Sequence, residues 1–282
     1  MSAYAELIRP RILVMVLLTM AVAAMVAGPE APAWPVLAHA LAGSGVLVAG
    51  AIALNQRLEY RADARMARTS ARPLPAGRLS PARATCFGAA ASVLGLGYLG
   101  LAARVEVLLL GVVSWIVYVG VYTPMKVRSP WQTPVGALAG ALPTLMGAAA
   151  AGALDSPTTW TLFGVVYFWQ FPHAMAIAWL CREDFAAAEL KVASVTDPSG
   201  RTAGLVSLLG AALVVPLSLV PWWAGRAGWP YALVGVLLGL GYLAPAAAFF
   251  ARPTDRTARL LLYASLGYLP AVCAALLLGC AA

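Results

Sequence analysis

The chain is 282 residues long, 62% hydrophobic and 11% charged, where a soluble domain carries about 25% charged residues. With a formal charge of +8, these values exclude a soluble enzyme or a string of soluble domains. The expectation is a single all-α, polytopic membrane domain over 1–282, a bundle whose helices satisfy their own backbone groups in lipid. The cationic residues sit in loops between apolar runs, where topology and anionic membrane lipid account for them, so no nucleic-acid partner is implied.

A span needs about 20 mostly apolar residues. Nine stretches qualify, near 10–28, 34–54, 82–102, 105–122, 135–152, 158–181, 203–223, 228–250 and 257–280. Gly28-Pro29, Pro32, Pro124, Pro130, Pro157, Pro198 and Pro253 punctuate them. Arg9 and Arg11 precede the first run as in a signal peptide. No small-residue cleavage site leading into a soluble domain follows, so a retained first helix is expected. Glycines such as Gly95, Gly97, Gly100, Gly136, Gly140 and Gly147 suit close helix packing in lipid. Cys86, Cys181, Cys273 and Cys280 form no CxxC pair, which indicates neither a disulfide framework nor a zinc site.

Of the 19 basic residues, 17 fall at the N-terminus or after the second, fourth, sixth and eighth runs; Arg104 and Arg226 fall on the other side. This asymmetry puts the N-terminus and the even-numbered loops in the cytoplasm and the C-terminus outside. The expected location is a bacterial-type inner membrane.

After the second run comes the densest polar stretch, residues 55–78. Asn55, Glu59 and Asp63 are four apart, and on a helix that stacks their side chains on one face. Three oxygen-bearing groups in a column suit a hard divalent cation such as Mg²⁺. Arg68 and Arg72 follow with the planar donor forks that bind phosphate, and Pro73 is expected to end the helix. A metal-bridged diphosphate site and a solvated positive-inside loop both fit this spacing.

Further along, Lys126 and Arg128 follow Tyr118 and Tyr122. They read either as a belt with cationic anchors or as a second cationic wall with tyrosine faces lining a cavity. Gln170 and His173 flank Pro172 inside the sixth run, where polar groups are costly and default to function. His173 suits a haem ligand, a proton relay, or satisfaction of a kinked backbone. His39 reads as a satisfied core residue. On the cytoplasmic side Asp184 suits a second Mg²⁺ and Lys191 a phosphate. This acidic loop weakly echoes the one four runs earlier. Glu106 and Asp155 read as solvated.

The stretch Asn55-x3-Glu59-x3-Asp63, Arg68-Thr69, Arg72-Pro73-Leu74 and Pro75-Ala76-Gly77-Arg78 resembles the signature of UbiA-type intramembrane prenyltransferases. Tyr122-Thr123-Pro124-Met125-Lys126 and Trp169-Gln170-Phe171-Pro172-His173, leading to Asp184-Phe185, resemble the haem O synthase branch, the protoheme IX farnesyltransferases. The resemblance covers roughly residues 5–280. It departs at Glu59, where Asp is usual, at Gln132 and Ala174, and in lacking a second DxxxD column, since Ala188 stands four after Asp184.

The resemblance implies nine transmembrane helices around a cavity open to lipid, with Mg²⁺, farnesyl diphosphate and haem B as partners and haem O as product. A partner in haem A synthesis or oxidase assembly is a further expectation. On this reading Asn55, Glu59, Asp63 and Asp184 hold metal, and Arg68, Arg72, Lys126, Arg128 and Lys191 hold diphosphate. Tyr118, Tyr122, Phe168 and Trp169 face an allylic cation, while Gln170 and His173 meet the haem. The alternatives are a UbiA-type transferase for another acceptor, such as 4-hydroxybenzoate or a chlorin, and a carrier or channel.

Overall fold

The computed structural model describes residues 2–28, 30 and 32–280, without the side chain of Cys280. Pro29 of the expected Gly28-Pro29 break therefore lies outside the described residues. Among these residues the chain is helical without strands. Eight helices are long and apolar enough to cross a membrane: α1 (Pro10–Ala27), α2 (Trp34–Asp63), α3 (Pro81–Ala102), α4 (Val105–Met125), α5 (Gln132–Ala150), α7 (Arg201–Trp223), α8 (Trp229–Ala251) and α9 (Asp255–Cys280). Between them α6, Pro157–Leu180, runs 24 residues. Its Gln170, His173, Pro172 and three threonines keep it from matching the others in apolar content. Eight helices rather than the expected nine thus qualify on length and composition.

The second helix departs most from expectation. It runs 30 residues to Asp63, beyond the apolar span at 34–54 but short of the expected end at Pro73. Its last turns contain good helix formers and neither Gly nor Pro. At 1.5 Å per residue it is about 45 Å long, against a hydrocarbon core of about 30 Å. Its polar end therefore projects beyond the apolar layer.

This helix does not continue to Pro73. Thr69 Oγ1 donates to the Asp63 carbonyl at 2.8 Å, and three-residue turns carry the chain from Ala64 onward. Arg68 and Arg72 thus lie on folded turns, which can bring them back over Asp63 as a continuing helix could not.

Two apolar clusters share the bundle. One joins α6–α9 with α1 and α5, centred on Leu162, Val165, Tyr242 and Phe249. The other joins α2, α3 and α4 with the same two helices, through Leu47, Leu99, Val107, Met20 and Met146. Small residues set the closest crossings. A Cβ at Gly95 would lie 2.5 Å from the Leu47 amide nitrogen, and one at Gly147 would strike the Met20 carbonyl. Packing in lipid rests on such approaches. His39 belongs to neither cluster: it is exposed on α2 and bonded to Tyr98 Oη at 2.7 Å. Its expected place in the core is corrected accordingly, because the outer half of α2 turns that face outward.

Short segments complete the polar end. The helix Arg182–Ala187 closes with Glu189 at φ 57°. Leu190 N donates to Phe185 O and Glu189 N to Ala186 O, a Schellman ending with Phe185 packed near Leu190. Asp197 caps α7, accepting from Thr202 N at 2.8 Å and from the Ser199 and Thr202 hydroxyls. These donors, Ser199 first, hold its carboxyl well below the usual range.

Candidate active site

Two cavities meet where the polar end enters the bundle. The smaller, about 350 Å³, is lined by Glu59, Asp63, Arg68 and Arg72 together with residues of α5, α6 and the 185–192 segment. The larger, about 590 Å³, is mostly apolar and runs between α1, α2, α4, α5, α6 and α9. Both are lined by Arg9, Tyr122, Lys126, Gly136, Gln170 and His173.

In the smaller cavity each carboxylate stands beside a cation. Arg72 Nη1 donates to Asp63 Oδ2 at 2.7 Å. Burial, and then the Arg9 cation nearby, pull the Arg72 pKa down, while Asp63 opposes them. Lys126 Nζ lies 2.5 Å from Glu59 Oε1 and 4.3 Å from the centre of the Tyr122 ring. Burial would lower the Lys126 pKa, but the Glu59 carboxylate reverses this and the net shift is upward. The extra methylene of glutamate at position 59 provides this reach.

At the rim, Asp184 Oδ1 accepts from Ala67 N at 3.0 Å and Oδ2 lies 3.9 Å from Arg68 Nε. Arg68 also covers the Phe185 ring at 4.9 Å, and Arg65 meets Glu189 at 3.2 Å. The two acidic loops that echo each other in sequence are thereby clasped together.

Asn55, Glu59, Asp63 and Asp184 do not converge as one set of ligands, and among the described residues no three acid, His or Cys side chains form a metal-sized group. The acids are held apart by their separate cations and, at Asp184, by a backbone amide. The donor chemistry nonetheless fits a hard cation. Glu59 and Asp63 share a cavity wall. Asn55 is fully buried, donates through Nδ2 to Thr123 Oγ1 at 2.9 Å, and leaves Oδ1 without a hydrogen-bond partner. A buried acceptor without a donor is costly, and a cation would satisfy it.

The aromatic wall comes from an irregularity in α4. Residues Ile116–Tyr122 form a π-helix, a feature frequent at functional sites. Pro124 has no N–H, and Thr123 N instead reaches the Tyr118 carbonyl, which also accepts from Thr123 Oγ1 at 2.8 Å. The wider turn brings Tyr118 and Tyr122 nearly into line, their rings stacked at 5.7 Å. Opposite them, Gly136 and Gly140 of α5 leave room. A Cβ at Gly136 would lie 2.5 Å from the Tyr122 ring, and one at Gly140 would collide with the Gln170 amide.

On α6, Trp169 and His173 stack at 5.0 Å, and Ser265 of α9 holds both. Trp169 Nε1 donates to the Ser265 carbonyl at 2.8 Å. Ser265 Oγ gives its proton to Leu262 O at 2.6 Å, so it accepts from His173 Nδ1 at 2.8 Å. This tautomer leaves the Nε2 lone pair unprotonated. Gln170 is fixed by donating to Ala137 O and Val166 O.

Several expected residues fall elsewhere. Arg128 and Lys191 are exposed and line neither cavity; the amide of Lys191 is tied to the Lys126 carbonyl at 2.8 Å, which leaves its side chain outside. Phe168 stacks on Phe171 and meets Tyr167 edge-on instead of facing the cavity. Asn55 lies behind the wall and Asp184 at the rim.

Arg9 is a residue that sequence reasoning missed. It lines both cavities, with φ 46° in the left-handed region, a conformation that costs a non-glycine residue about 1–3 kcal/mol. Read as a topology signal, Arg9 had nothing in its sequence to set it apart from Arg11. Ser265 was hidden too, since an apolar run surrounds it.

Comparison with known proteins gives consistent matches. The model of the UbiA prenyltransferase family matches residues 16–277. A protein of Solibacter usitatus (strain Ellin6076) named protoheme IX farnesyltransferase is 38% identical over 288 residues, covering 99% of this chain and 98% of that one. The structure of a UbiA homolog from Archaeoglobus fulgidus bound to GPP and Mg²⁺ superposes with a TM-score of 0.71 at 17% identity, over 95% of this chain and 100% of that one. A digeranylgeranylglyceryl phosphate synthase structure gives 0.83 at 16%, over 99% and 97%. At these identities the structures establish the fold.

Proposed function

The chain belongs to the UbiA prenyltransferase family, and from that premise we propose how its site works. It is a multi-pass membrane enzyme that transfers a farnesyl group from farnesyl diphosphate to a vinyl group of protohaem IX. Water adds to the other vinyl carbon, a proton is released, and the product is haem O. One observation carries this reading. A cavity walled by acid–cation pairs opens into a larger apolar one, and the boundary is made by Tyr122, Gln170 and His173.

Diphosphate takes the smaller cavity, where Arg68, Arg72 and Lys126 offer charge-assisted donors to its oxygens. Mg²⁺ would be held by Glu59 and Asp63, with the unpartnered Asn55 Oδ1 on the wall behind them and Asp184 at the rim for a second ion. When bound, it neutralises charge on the leaving diphosphate as a Lewis acid. The Tyr118, Tyr122 and Trp169 rings face the carbon that loses diphosphate, each worth about 0.5–2 kcal/mol to a cation.

Apolar parts of both substrates occupy the larger cavity, where each buried CH₂ is worth about 0.8 kcal/mol. His173, fixed by Ser265, turns Nε2 to the acceptor. The polar ends of α2, α4 and α6 lie on the cytoplasmic side of the cell membrane, which the basic-residue asymmetry supports. We take α6 as a ninth span. A partner in haem A synthesis or oxidase assembly would collect the greasy product within the membrane.

Incubation of the purified protein with Mg²⁺, farnesyl diphosphate and haem B tests this directly. The mass of haem O is expected. Prenylated 4-hydroxybenzoate without haem O would refute it.

A further inference from the structure

The charges around the two cavities are unevenly matched. In the smaller one, every cation but Arg9, which borders both cavities, has a carboxylate: Arg72 with Asp63, Lys126 with Glu59, and Arg68 near Asp184. The larger cavity has only three charged liners, Arg9, Arg11 and Lys126. Among the described residues no carboxylate lies within ion-pair distance of Arg9 or Arg11. Two unneutralised guanidiniums thus stand at one end of an apolar cavity. Arg9 is half-buried there, in a backbone conformation that arginine rarely adopts.

Guanidinium forks recognise planar oxyanions bidentately. The ligand that matches an apolar cavity with two uncompensated cations at its polar mouth is a flat hydrophobic body with two carboxylates on one edge. On the haem reading given above, on which this inference rests, the acceptor has that shape. We infer that Arg9, with Arg11 beside it, binds the two propionate carboxylates of the acceptor and so sets which edge of the porphyrin enters the cavity. The edge opposite the propionates then lies deepest, among the rings of α4 and α6. Arg9 is a binding residue for the acceptor, distinct from the diphosphate cradle although it borders it.

The test is titration of the full-length protein in detergent with protohaem and with its dimethyl ester, followed in the Soret band without farnesyl diphosphate. Wild type is expected to bind protohaem roughly tenfold or more tighter than the ester, the size of a lost charged hydrogen bond. Arg9→Gln is expected to bind both at the ester's level, with Arg9→Lys recovering part of the difference and the KM for farnesyl diphosphate unchanged in both variants. Equal binding of acid and ester by wild type would overturn the inference, and that comparison needs no variant to fold. So would an Arg9→Gln protein with unchanged haem affinity and a raised KM for farnesyl diphosphate, which would assign Arg9 to the diphosphate. Wild type that binds no haem at all would overturn the haem reading itself.

Discussion

Lys126 Nζ lies 2.5 Å from Glu59 Oε1, and both side chains are less than one-fifth exposed. The pair joins the end of α2 to the loop after α4, so the carboxylate column of α2 and the cation of that loop are one unit. Removing one partner leaves a buried charge alone, which costs about 3 kcal/mol. Lys126→Met is therefore expected to lower stability by about that amount in thermal unfolding in detergent. The double variant Glu59→Gln/Lys126→Met is expected to regain most of the stability and none of the turnover. Equal stability of the single and double variants would show that the pair is not coupled.

On the proposed function, Ser265 would act on the reaction only through His173, which it holds at 2.8 Å. Its hydroxyl fixes the imidazole tautomer, and second partners of this kind are worth roughly 10–100-fold. Ser265→Ala is expected to lower kcat by about tenfold. Haem titrated into His173→Ala is expected to give a Soret band different from that of wild type. An identical band and affinity would show that His173 does not approach the haem iron.

The glycines of α5 are expected to matter for rate. Gly136→Ala would push a methyl group into the Tyr122 ring, which lines the cavity. Turnover is expected to fall severalfold or more while the melting temperature changes little. A rate equal to wild type would show that the ring does not shape the site.

Gly200 is held in the left-handed region at φ 76°, and a Cβ there would lie 2.5 Å from the Trp179 ring and 2.7 Å from Pro253. Gly200→Ala is expected to destabilise by about 1–2 kcal/mol from backbone conformation alone, plus the cost of the clash. Chemical or thermal unfolding measures it.

Much of this was legible in the sequence because it is local. Apolar runs gave the helices, and four-residue spacing put Asn55, Glu59 and Asp63 on one face. What stayed hidden depends on distant parts meeting. The Lys126–Glu59 and His173–Ser265 partners are 67 and 92 residues apart, and no periodicity encodes such pairs. The π-helix at Ile116–Tyr122 also hid, since Pro124 signals a break without specifying its geometry. Arg128 and Lys191 looked like phosphate ligands by type, but their side chains fall outside the cavities. Positive charge in a loop between apolar helices does not by itself distinguish a ligand from a topology signal.

The central claim is that the carboxylates at the end of α2 drive departure of diphosphate from the farnesyl group. Asp63→Asn tests it most directly, because the amide keeps the shape and a hydrogen-bond acceptor for Arg72 while removing the charge. Haem O formation and pyrophosphate release are measured together with Mg²⁺, farnesyl diphosphate and haem B, on protein whose melting profile shows it folded. Both products are expected to fall roughly 100-fold or more. Turnover at the wild-type rate would contradict the claim.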